Sequence, residues 1–467
     1  MFRFHHATDA VPNWARDAVL YHIYPLGFLD APPHNDRSQP PVPRLADLRR
    51  WYDHISGLNV TAILFGPLFE STSHGYDTVD YFTIDRRLGD NTLFRQMVDE
   101  LHARGLRVIL DGVFHHTGRD FFAFRDLREQ GRASRYADWY HVNWFSDSRY
   151  GDGFAYDCWE GHESLPRLNL GNAEVRRYIF EVARMWLTDM DADGWRLDVA
   201  YAVDPAFWWE FRRVCKAAKP DCFLVGELIG GDYRTWVAPD LLDAATNYQL
   251  HAAISPSFNG RDFTALRAAI ERAVDTEVGL YRDIALVNFL GNHDVTRILS
   301  QLADPHHIYA ALIFLLTAPG IPCLYYGDEV GMRGRKEEGD AALRRPMPAP
   351  DAPWPDVGRD LYRETARLVA IRRAHPALSE GRYATLHAVG SAFAFLRQHV
   401  REAAVVILNG GAEPISLTLP VGVEGIPDGT TFYDVLNEGD GNFTVQGGTL
   451  RVRDVYPAWG RVLIAPL

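Results

Sequence analysis

The stretch Gly194-Trp195-Arg196-Leu197-Asp198-Val199-Ala200 is an apolar run that carries one arginine and one aspartate, two residues apart. If the run is a β-strand, the side chains of Arg196 and Asp198 lie on the same face. A neighbouring guanidinium lowers the pKa of a carboxyl group, which suits a carboxylate that stays ionised and acts as a nucleophile. The stretch therefore predicts a strand with a reactive carboxylate at its end.

Three other apolar runs also end in carboxylates. Asp111 lies in the stretch 111–116, which reads Asp-Gly-Val-Phe-His-His, Glu227 follows a second run, and Asp294 closes the stretch 292–294, Asn-His-Asp. Catalytic groups of a parallel barrel lie on the rim formed by the carboxyl ends of its strands. Four carboxylates at the ends of four separate apolar strands therefore predict a barrel active site.

Short apolar runs alternate with helical patterns along most of the chain. The predicted strands are Ala18–Tyr24, Thr61–Phe65, Arg107–Val113, Gly194–Val199, Phe223–Leu228, Ile284–Phe289 and Cys323–Tyr326, with a weaker one at Ala244–Tyr248. The predicted helices include Leu45–Leu58, Leu93–Arg104, Ala173–Met190, Pro205–Ala218 and His306–Thr317. Strands that are apolar throughout indicate a parallel sheet covered by helices. Eight units of one strand and one helix favour an α/β fold of the closed (β/α)8 type.

Two stretches depart from this alternation. Residues 115–173 are rich in aromatic side chains and too long for a structureless loop, so they predict a small inserted domain after strand 3. From residue 378 the pattern changes to short alternating strands separated by Gly, Asn and Pro, which predicts a C-terminal β-sandwich over 378–467. The barrel is then assigned to residues 1–114 and 174–377.

Composition restricts the classes of partner. The net charge of -13 argues against nucleic acids and anionic membranes, and no stretch of the 467 residues is apolar enough to cross a bilayer. The N-terminal residues 1–7 lack the apolar core of a signal peptide, so we expect a cytoplasmic protein. The four cysteines have no metal-ligand spacing and are expected to be free thiols.

Taken together and in this order, the motifs resemble the signature regions of the α-amylase family of glycoside hydrolases. The resemblance extends to the stretch 75–77 (Gly-Tyr-Asp), to 165–169 (Leu-Pro-Arg-Leu-Asn) and to 320–329, and so covers nearly the whole chain. The stretch 165–169 resembles the branch of cyclomaltodextrinases, neopullulanases and maltogenic amylases. The N-terminal β-domain of that branch is expected to be missing, because the first predicted strand begins near residue 18.

The resemblance implies roles for the carboxylates. Cleaving an acetal between sugars needs a proton for the leaving oxygen and a partner for the oxocarbenium-like carbon, which a close carboxyl pair supplies in a retaining double displacement. Asp198 is the implied nucleophile, and Glu227 is the implied acid/base, whose pKa has to be raised. Asp294 is implied to grip sugar hydroxyls. The other implied substrate-binding residues are Tyr76, Asp111, His116, Arg196, His293, Asp340 and Arg344.

These seven residues differ in what the resemblance implies for them. Asp111 and Arg196 are expected to support the reacting groups, and the two histidines are expected to hydrogen-bond the sugar. Tyr76 offers an aromatic platform for the sugar ring. Asp340 and Arg344 resemble a clamp on the next sugar inward, with ordinary surface ion pairing as the open alternative.

The sequence departs from the family pattern at three places. His115 stands where the family usually has an asparagine ligand for structural calcium, and imidazole is a poor ligand for that ion, so we expect no required metal and no cofactor. The stretches 199–202 (Val-Ala-Tyr-Ala) and 228–229 (Leu-Ile) lack the usual residues on the leaving-group side. Specificity for the acceptor sugar is therefore expected to be unusual.

The sequence thus predicts a retaining glycoside hydrolase that cleaves α-glucosidic bonds in short or cyclic α-glucans, such as cyclodextrins, maltooligosaccharides or cyclic maltosyl-maltose-type tetrasaccharides. One alternative is a transglycosylase or isomerase of the same family, which shares the covalent intermediate. Another, from a different class, is a non-catalytic sugar-binding or chaperone relative, against which the three retained carboxylates argue. The expected partner is an oligosaccharide, and homo-oligomerisation stays open.

Overall fold

Eight short parallel strands close into a barrel in a computed structural model that describes residues 11–275, 278–352, 354, 356–437, 439 and 441–467. The strands are β1 (Leu20–Ile23), β2 (Ala62–Phe65), β3 (Arg107–Gly112), β4 (Gly194–Leu197), β5 (Phe223–Gly226), β6 (Ala244–Thr246), β7 (Ala285–Phe289) and β8 (Ile321–Tyr325). The predicted (β/α)8 fold and its eight strands are confirmed. The N-terminal residues behind the signal-peptide prediction lie outside the described part of the chain.

Burial explains why these strands are apolar along their whole length. Every residue of β1, β2, β4, β5, β7 and β8 is buried, because helices cover the outer face of the barrel while side chains fill its interior. The interior is packed with small and branched side chains that include Ala62, Ile109, Val225 and Val287. The barrel is therefore a solid core, and only its rim is open to a ligand.

Helices connect most of the strands on the outside. They are Tyr52–Gly57, Asn91–Ala103, Ala173–Thr188, Pro205–Ala218, Tyr248–Gly260, Thr264–Val274, His307–Thr317 and Asp356–Ala374. The predicted helix Leu45–Leu58 is divided into a 3-10 helix, Arg44–Trp51, and a short α-helix, because Trp51 has φ -102° and ψ 1°. Within the described residues, no helix has the length and apolarity needed to span a membrane.

The connection from β5 to β6 departs from the regular alternation. Between Gly226 and Ala244 the chain forms one 3-10 turn, Tyr233–Thr235, and two helices follow β6 instead. The stretch 227–243 is described throughout, so the missing helix is a property of the fold.

The segment after β3 forms the predicted inserted domain. It contains the helix Phe122–Gln130 and two small antiparallel ribbons, Val142–Asn143 with Ala155–Tyr156 and Cys158–Trp159 with His162–Pro166. Its many aromatic side chains pack against one another, as Phe124 does with Tyr140 and Tyr156 at 4.9 and 4.8 Å. The limits 115 and 173 stay a prediction.

The C-terminal region is an antiparallel β-domain, as predicted. One sheet has six strands in the order Arg382–Val389, Ala392–Gln398, Glu402–Asn409, Trp459–Pro466, Thr431–Asp434 and Asn442–Thr444. A second sheet pairs Ile415–Leu419 with Leu450–Val455. A separate apolar core that includes Val405, Phe432 and Val452 lies in this domain. Its first residue, predicted as 378, stays a prediction.

One buried arginine connects this domain to the barrel, and a second one binds the end of the same helix from within the barrel. Arg397 donates to the carbonyls of Thr317 at 2.8 Å and Leu378 at 2.7 Å, and Arg372 donates to those of Leu316 and Gly320 at 3.1 and 2.6 Å. Leu316 and Thr317 end the helix His307–Thr317, where carbonyl groups lack partners within the helix. Arg397 therefore satisfies backbone groups across the contact between the two domains, whereas Arg372, in the helix Asp356–Ala374, satisfies them within the barrel.

Candidate active site

The register of the central strands brings the predicted residues together on the rim. Arg196 of β4 lies opposite Asp111 of β3, and Leu197 lies opposite Gly226 of β5. Asp198 follows Leu197 and Glu227 follows Gly226, so the two carboxyl side chains project side by side from neighbouring strand ends. Close approach of β4 and β5 requires glycine at position 194, where a Cβ atom would meet the carbonyl oxygen of Phe223 at 2.3 Å.

Arg196 is the hub of the site. Its Nη1 lies 2.8 Å from Asp111 and 2.7 Å from Asp198, and its Nη2 lies 2.7 Å from Glu227. Burial disfavours the charged guanidinium, but Asp111 and Glu227 outweigh it and raise the pKa of Arg196. One permanent positive charge is therefore shared by three buried carboxyl groups.

The residue after Asp198 has a strained backbone that serves this arrangement. Val199 has φ 50° and ψ 36°, in the left-handed region that β-branched residues rarely occupy. Its N–H donates to Oε2 of Glu227 at 3.0 Å. The turn after β4 therefore fixes the acid/base candidate as well as the nucleophile candidate.

Burial dominates the protonation of the carboxyl pair. It raises the pKa of Asp198 from 3.8 to about 7, and Arg196 opposes the rise without cancelling it. The expectation that Arg196 gives Asp198 a lowered pKa is therefore wrong, because a side chain that is only 5% exposed loses more on leaving water than one shared guanidinium returns. Burial raises the pKa of Glu227 too, as predicted. Near neutral pH the pair can hold one proton and one negative charge.

Asp294 has a different environment. Its side chain is 37% exposed and contacts His293 Nε2 and Arg344 Nη2, both at 2.9 Å. Partial burial of the side chain favours the neutral form, but these cationic and polar partners outweigh it and hold the pKa of Asp294 well below its ordinary value. Asp294 is therefore ionised across the working pH range.

The predicted clamp pair lies beside this carboxylate. Arg344 bridges Asp294 and Asp340, with a distance of 3.1 Å to the latter, and Asp340 also accepts from Lys336 at 2.6 Å. Asp340 is about half exposed, so part of its contact is a surface ion pair. The pair thus extends the line of charged groups outward from Asp294.

The aromatic residues line the same pocket. Tyr76 stacks on His293 with ring centroids 5.4 Å apart, and its hydroxyl donates to Asp111 at 3.0 Å and contacts Nε2 of His293. His116 is 2% exposed, and its ring lies next to the backbone of Tyr76, with its buried Nε2 in no well-formed hydrogen bond among the described residues. All ten predicted site residues therefore belong to one connected group on the rim or to its outward extension through Asp340.

Sequence reasoning missed four further residues of the site. Tyr248 donates to Glu227 at 3.3 Å and accepts from Asn292 at 2.9 Å, which completes the hydrogen bonding around the acid/base candidate. The ring of His22 packs edge-on against the ring of His293, with centroids 5.1 Å apart. The ring of Tyr24 stacks on His293 with centroids 6.0 Å apart, and the guanidinium of Arg344 lies over the ring of Tyr24. All four follow or end barrel strands, which is the signal that could have found them.

The residues around His115 do not fit a structural calcium. Its imidazole contacts Nδ1 of His116 at 3.2 Å, and burial followed by the charge of Arg167 lowers the pKa of His115 to about 4. A neutral imidazole next to a guanidinium is a poor environment for a hard cation that requires oxygen ligands. Within the described residues, no group of three His, Cys, Asp or Glu side chains could hold a metal ion.

Comparison with known proteins agrees with this geometry. Residues 22–367 match the family described as alpha amylase, catalytic domain. Neopullulanase 2 of Thermoactinomyces vulgaris is 37% identical over 454 residues, which are 91% of this chain and 74% of that protein.

Two solved structures extend the likeness to the whole fold. A cyclomaltodextrinase superposes with a TM-score of 0.84 at 32% identity over 98% of this chain and 79% of its own. A cyclic α-maltosyl-(1→6)-maltose hydrolase from Arthrobacter globiformis, in complex with cyclic α-maltosyl-(1→6)-maltose, superposes with a TM-score of 0.79 at 30% identity over 97% and 99%.

Proposed function

The chain belongs to the α-amylase family and is a glycoside hydrolase, and from that membership we propose that it cleaves α-glucosidic bonds in short or cyclic α-glucans with retention of anomeric configuration. The observation that carries the proposal is the pair Asp198 and Glu227 on adjacent strand ends, both bound to one guanidinium. Neighbouring parallel strands are roughly 5 Å apart. That spacing suits a carboxyl pair that works directly on one anomeric carbon, without room for a water molecule between them.

In the first step Oδ of Asp198 bonds to the anomeric carbon while the bond from that carbon to the leaving oxygen breaks. Glu227 gives its proton to the leaving oxygen, so the departing sugar is a neutral alcohol. In the second step water attacks the same carbon, Glu227 accepts the proton from water, and the bond to Asp198 breaks. Each step inverts the centre, and the two together retain its configuration.

The remaining groups support the charge changes. Arg196 stays charged beside both reacting carboxyls, so it stabilises the ionised form of whichever has lost its proton. Asp294 is ionised and partly open to the pocket, where a carboxylate can accept hydrogen bonds from two sugar hydroxyls. The stacked pair Tyr76 and His293 offers an aromatic face and polar edges to the same ring.

Similarity to known proteins supports the substrate class. The relatives reported above have names that refer to cyclodextrins, pullulan and a cyclic tetrasaccharide. The Arthrobacter structure is the most informative of the three, because it and this chain cover each other almost completely. We therefore place the substrates among short or cyclic α-glucans, with the linkage to be fixed by experiment.

The test is a product profile of the purified protein. Linear and cyclic glucans with α-1,4 and α-1,6 bonds would be incubated with it and the products followed with time by chromatography. Proton NMR of the first product formed would give its anomeric configuration. Release of the α-anomer supports the proposal, release of the β-anomer contradicts retention, and a majority of lengthened products would favour a transglycosylase.

A further inference from the structure

The tip of one hairpin in the inserted domain carries an unusual residue. Trp159 pairs with His162, so the turn between them consists of Glu160 and Gly161. Both have positive φ, 45° and 82°, as a tight two-residue hairpin turn requires, and asparagine followed by glycine is the preferred sequence there. Glutamate is poorly suited to the left-handed region, so something other than the turn accounts for its presence.

Glu160 reaches the barrel rim at the turn that follows Asp198. Its Oε1 accepts a hydrogen bond from the hydroxyl of Tyr201 at 3.2 Å. Tyr201 lies in the 3-10 turn Ala200–Ala202, directly after Asp198 and Val199. The bond therefore joins the inserted domain to the loop that carries the nucleophile candidate.

Tyr201 lies within electrostatic range of the acid/base candidate. Burial, then Glu160 and then Glu227 raise the pKa of Tyr201 to about 12. Tyr201 also lies only two residues beyond Val199, whose N–H donates to Oε2 of Glu227 at 3.0 Å. Tyr201 and Glu160 therefore lie toward the acid side of the reacting pair, where the leaving sugar has to depart.

Trp159 completes an amphipathic surface at the same place. Its ring is half-buried, stacks on His162 at 5.1 Å and lies 6.2 Å from the ring of His116. Its indole N–H is buried without a well-formed hydrogen bond among the described residues. A carboxylate, a hydroxyl and an indole edge are the groups that recognise the hydroxyls and the apolar face of a sugar.

We propose that Glu160, together with Tyr201 and Trp159, forms the subsite that binds the leaving or acceptor glucose unit and so determines specificity on that side of the bond. The inference rests on the proposed function and deepens it. The carboxylate of Glu160 accepts hydrogen bonds from sugar hydroxyls, and Tyr201 positions that carboxylate.

Two substrates with the same donor sugar separate this subsite from the rest of the active site. One is α-maltosyl fluoride, in which the bond from the anomeric carbon to fluorine breaks and fluoride leaves without occupying a sugar subsite. The other is the short α-glucan that the wild-type protein cleaves fastest, in which the proton of Glu227 goes to the oxygen of a departing sugar. Both reactions form the same bond to Asp198.

The key variant is Glu160→Asn. Asparagine suits the left-handed turn better than glutamate, so the melting temperature should equal or exceed that of the wild type. Loss of a charged hydrogen-bond acceptor should lower kcat/KM for the glucan about tenfold, mainly through KM. The kcat/KM of the variant for α-maltosyl fluoride should stay within about twofold of the wild-type value. Tyr201→Phe should have the same signature with a smaller effect, because the carboxylate remains.

Controls make each outcome decisive. Glu129→Gln, at an exposed helix position of the same inserted domain, should leave kcat/KM for both substrates unchanged. Equal kcat/KM for the glucan in the wild type and in both subsite variants would overturn the subsite. An equal loss on both substrates would overturn it too, since it would indicate a purely structural role. A wild-type protein that releases no fluoride and cleaves no glucan would instead overturn the proposed function.

Discussion

The backbone N–H of Val199 donates to Oε2 of Glu227 at 3.0 Å, so the residue next to the nucleophile candidate binds the acid/base candidate. Val199 adopts a left-handed conformation to make this bond, and such strain in a β-branched residue has a free-energy cost of about 1 to 3 kcal/mol. Together with Arg196, which contacts both carboxyls, the bond fixes the relative position of Asp198 and Glu227 before any substrate arrives. Preorganisation of this kind lowers the barrier of a reaction that moves charge between the two groups.

Replacing either reacting carboxyl by its amide should nearly abolish turnover. We expect Asp198→Asn and Glu227→Gln each to lower kcat on a short α-glucan by a factor of about 10² to 10⁴ or more, because a positioned acid or base contributes that much. Sugar binding should persist, and circular dichroism should be unchanged. Asp240→Asn, an exposed aspartate, is the matched control. Activity within tenfold of the wild type in either variant would contradict the assignment.

The dependence of kcat/KM on pH should be bell-shaped and displaced upward on its acid side. The nucleophile has to be ionised, and burial raises the pKa of Asp198 to about 7. Activity should therefore fall as the pH is lowered through neutrality, well above the ordinary aspartate value of 3.8. The alkaline side reports the loss of the second proton from the pair that Asp198 forms with Glu227, whose pKa is raised as well.

Initial rates between pH 4 and 10 with a neutral glucan measure this profile, with protein stability checked at each pH. A flat profile down to pH 4 would show that substrate-free Asp198 has an ordinary pKa.

The placement of the candidate carboxyls on one rim could be predicted from the sequence, because parallel strands point their carboxyl ends to one rim. Asp198, Glu227 and Asp294 follow apolar runs that are recognisable without any structure. The same signal is weaker for Tyr248, since β6 has only three residues. Its hydrogen bond to Glu227 is visible only once the barrel is closed.

Other features of the structure depend on three-dimensional geometry that the hydrophobic pattern of the sequence does not contain. The net pKa of Asp198 depends on how deeply it is buried and on how many carboxyls share Arg196. The contact of Glu160 with Tyr201 joins two residues 41 positions apart, in a region of the sequence without periodicity. The split of the segment 44–57 into two kinds of helix likewise follows from the local dihedral angles at Trp51.

Chelation should leave the activity intact. His115 is neutral, buried and adjacent to Arg167, so the residues at this place do not offer the oxygen ligands that calcium prefers. Dialysis against EDTA followed by assay in metal-free buffer should retain nearly all of kcat/KM, and added Ca²⁺ should change the melting temperature by no more than about 1 °C. Loss of activity on dialysis, with recovery on addition of Ca²⁺, would show that a required calcium binds.

Asp193 is a structural counterpart to the reacting carboxyls, at the start of β4 and at the opposite end of the barrel. It accepts from His102 at 2.7 Å, from Arg107 at 2.8 Å and from the backbone N–H of Val108 at 2.9 Å, and it lies 3.0 Å from Lys219. Although its burial favours the neutral form, these donors hold the pKa of Asp193 well below its ordinary value of 3.8. The charge of Asp193 therefore stabilises the folded protein and has no role in the proposed reaction.

Asp193→Asn should lower the free energy of unfolding by about 3 kcal/mol, since it leaves buried donors without a charged acceptor.

A carboxyl whose pKa is depressed in the folded state stabilises the protein above its unfolded pKa, and this contribution is lost as the pH falls. The difference between wild type and variant in urea unfolding should therefore stay nearly constant as the pH falls from 7 to about 4, and it should narrow below 3.8 as the pH approaches the lowered pKa of folded Asp193. Asp221→Asn is the matched control, because Asp221 is half-exposed and lies 3.8 Å from the same Arg107. It should change stability by less than about 0.5 kcal/mol. A difference for the Asp193 variant that has not begun to narrow at the lowest pH at which both proteins still fold would mean that its charge is not what stabilises the barrel end.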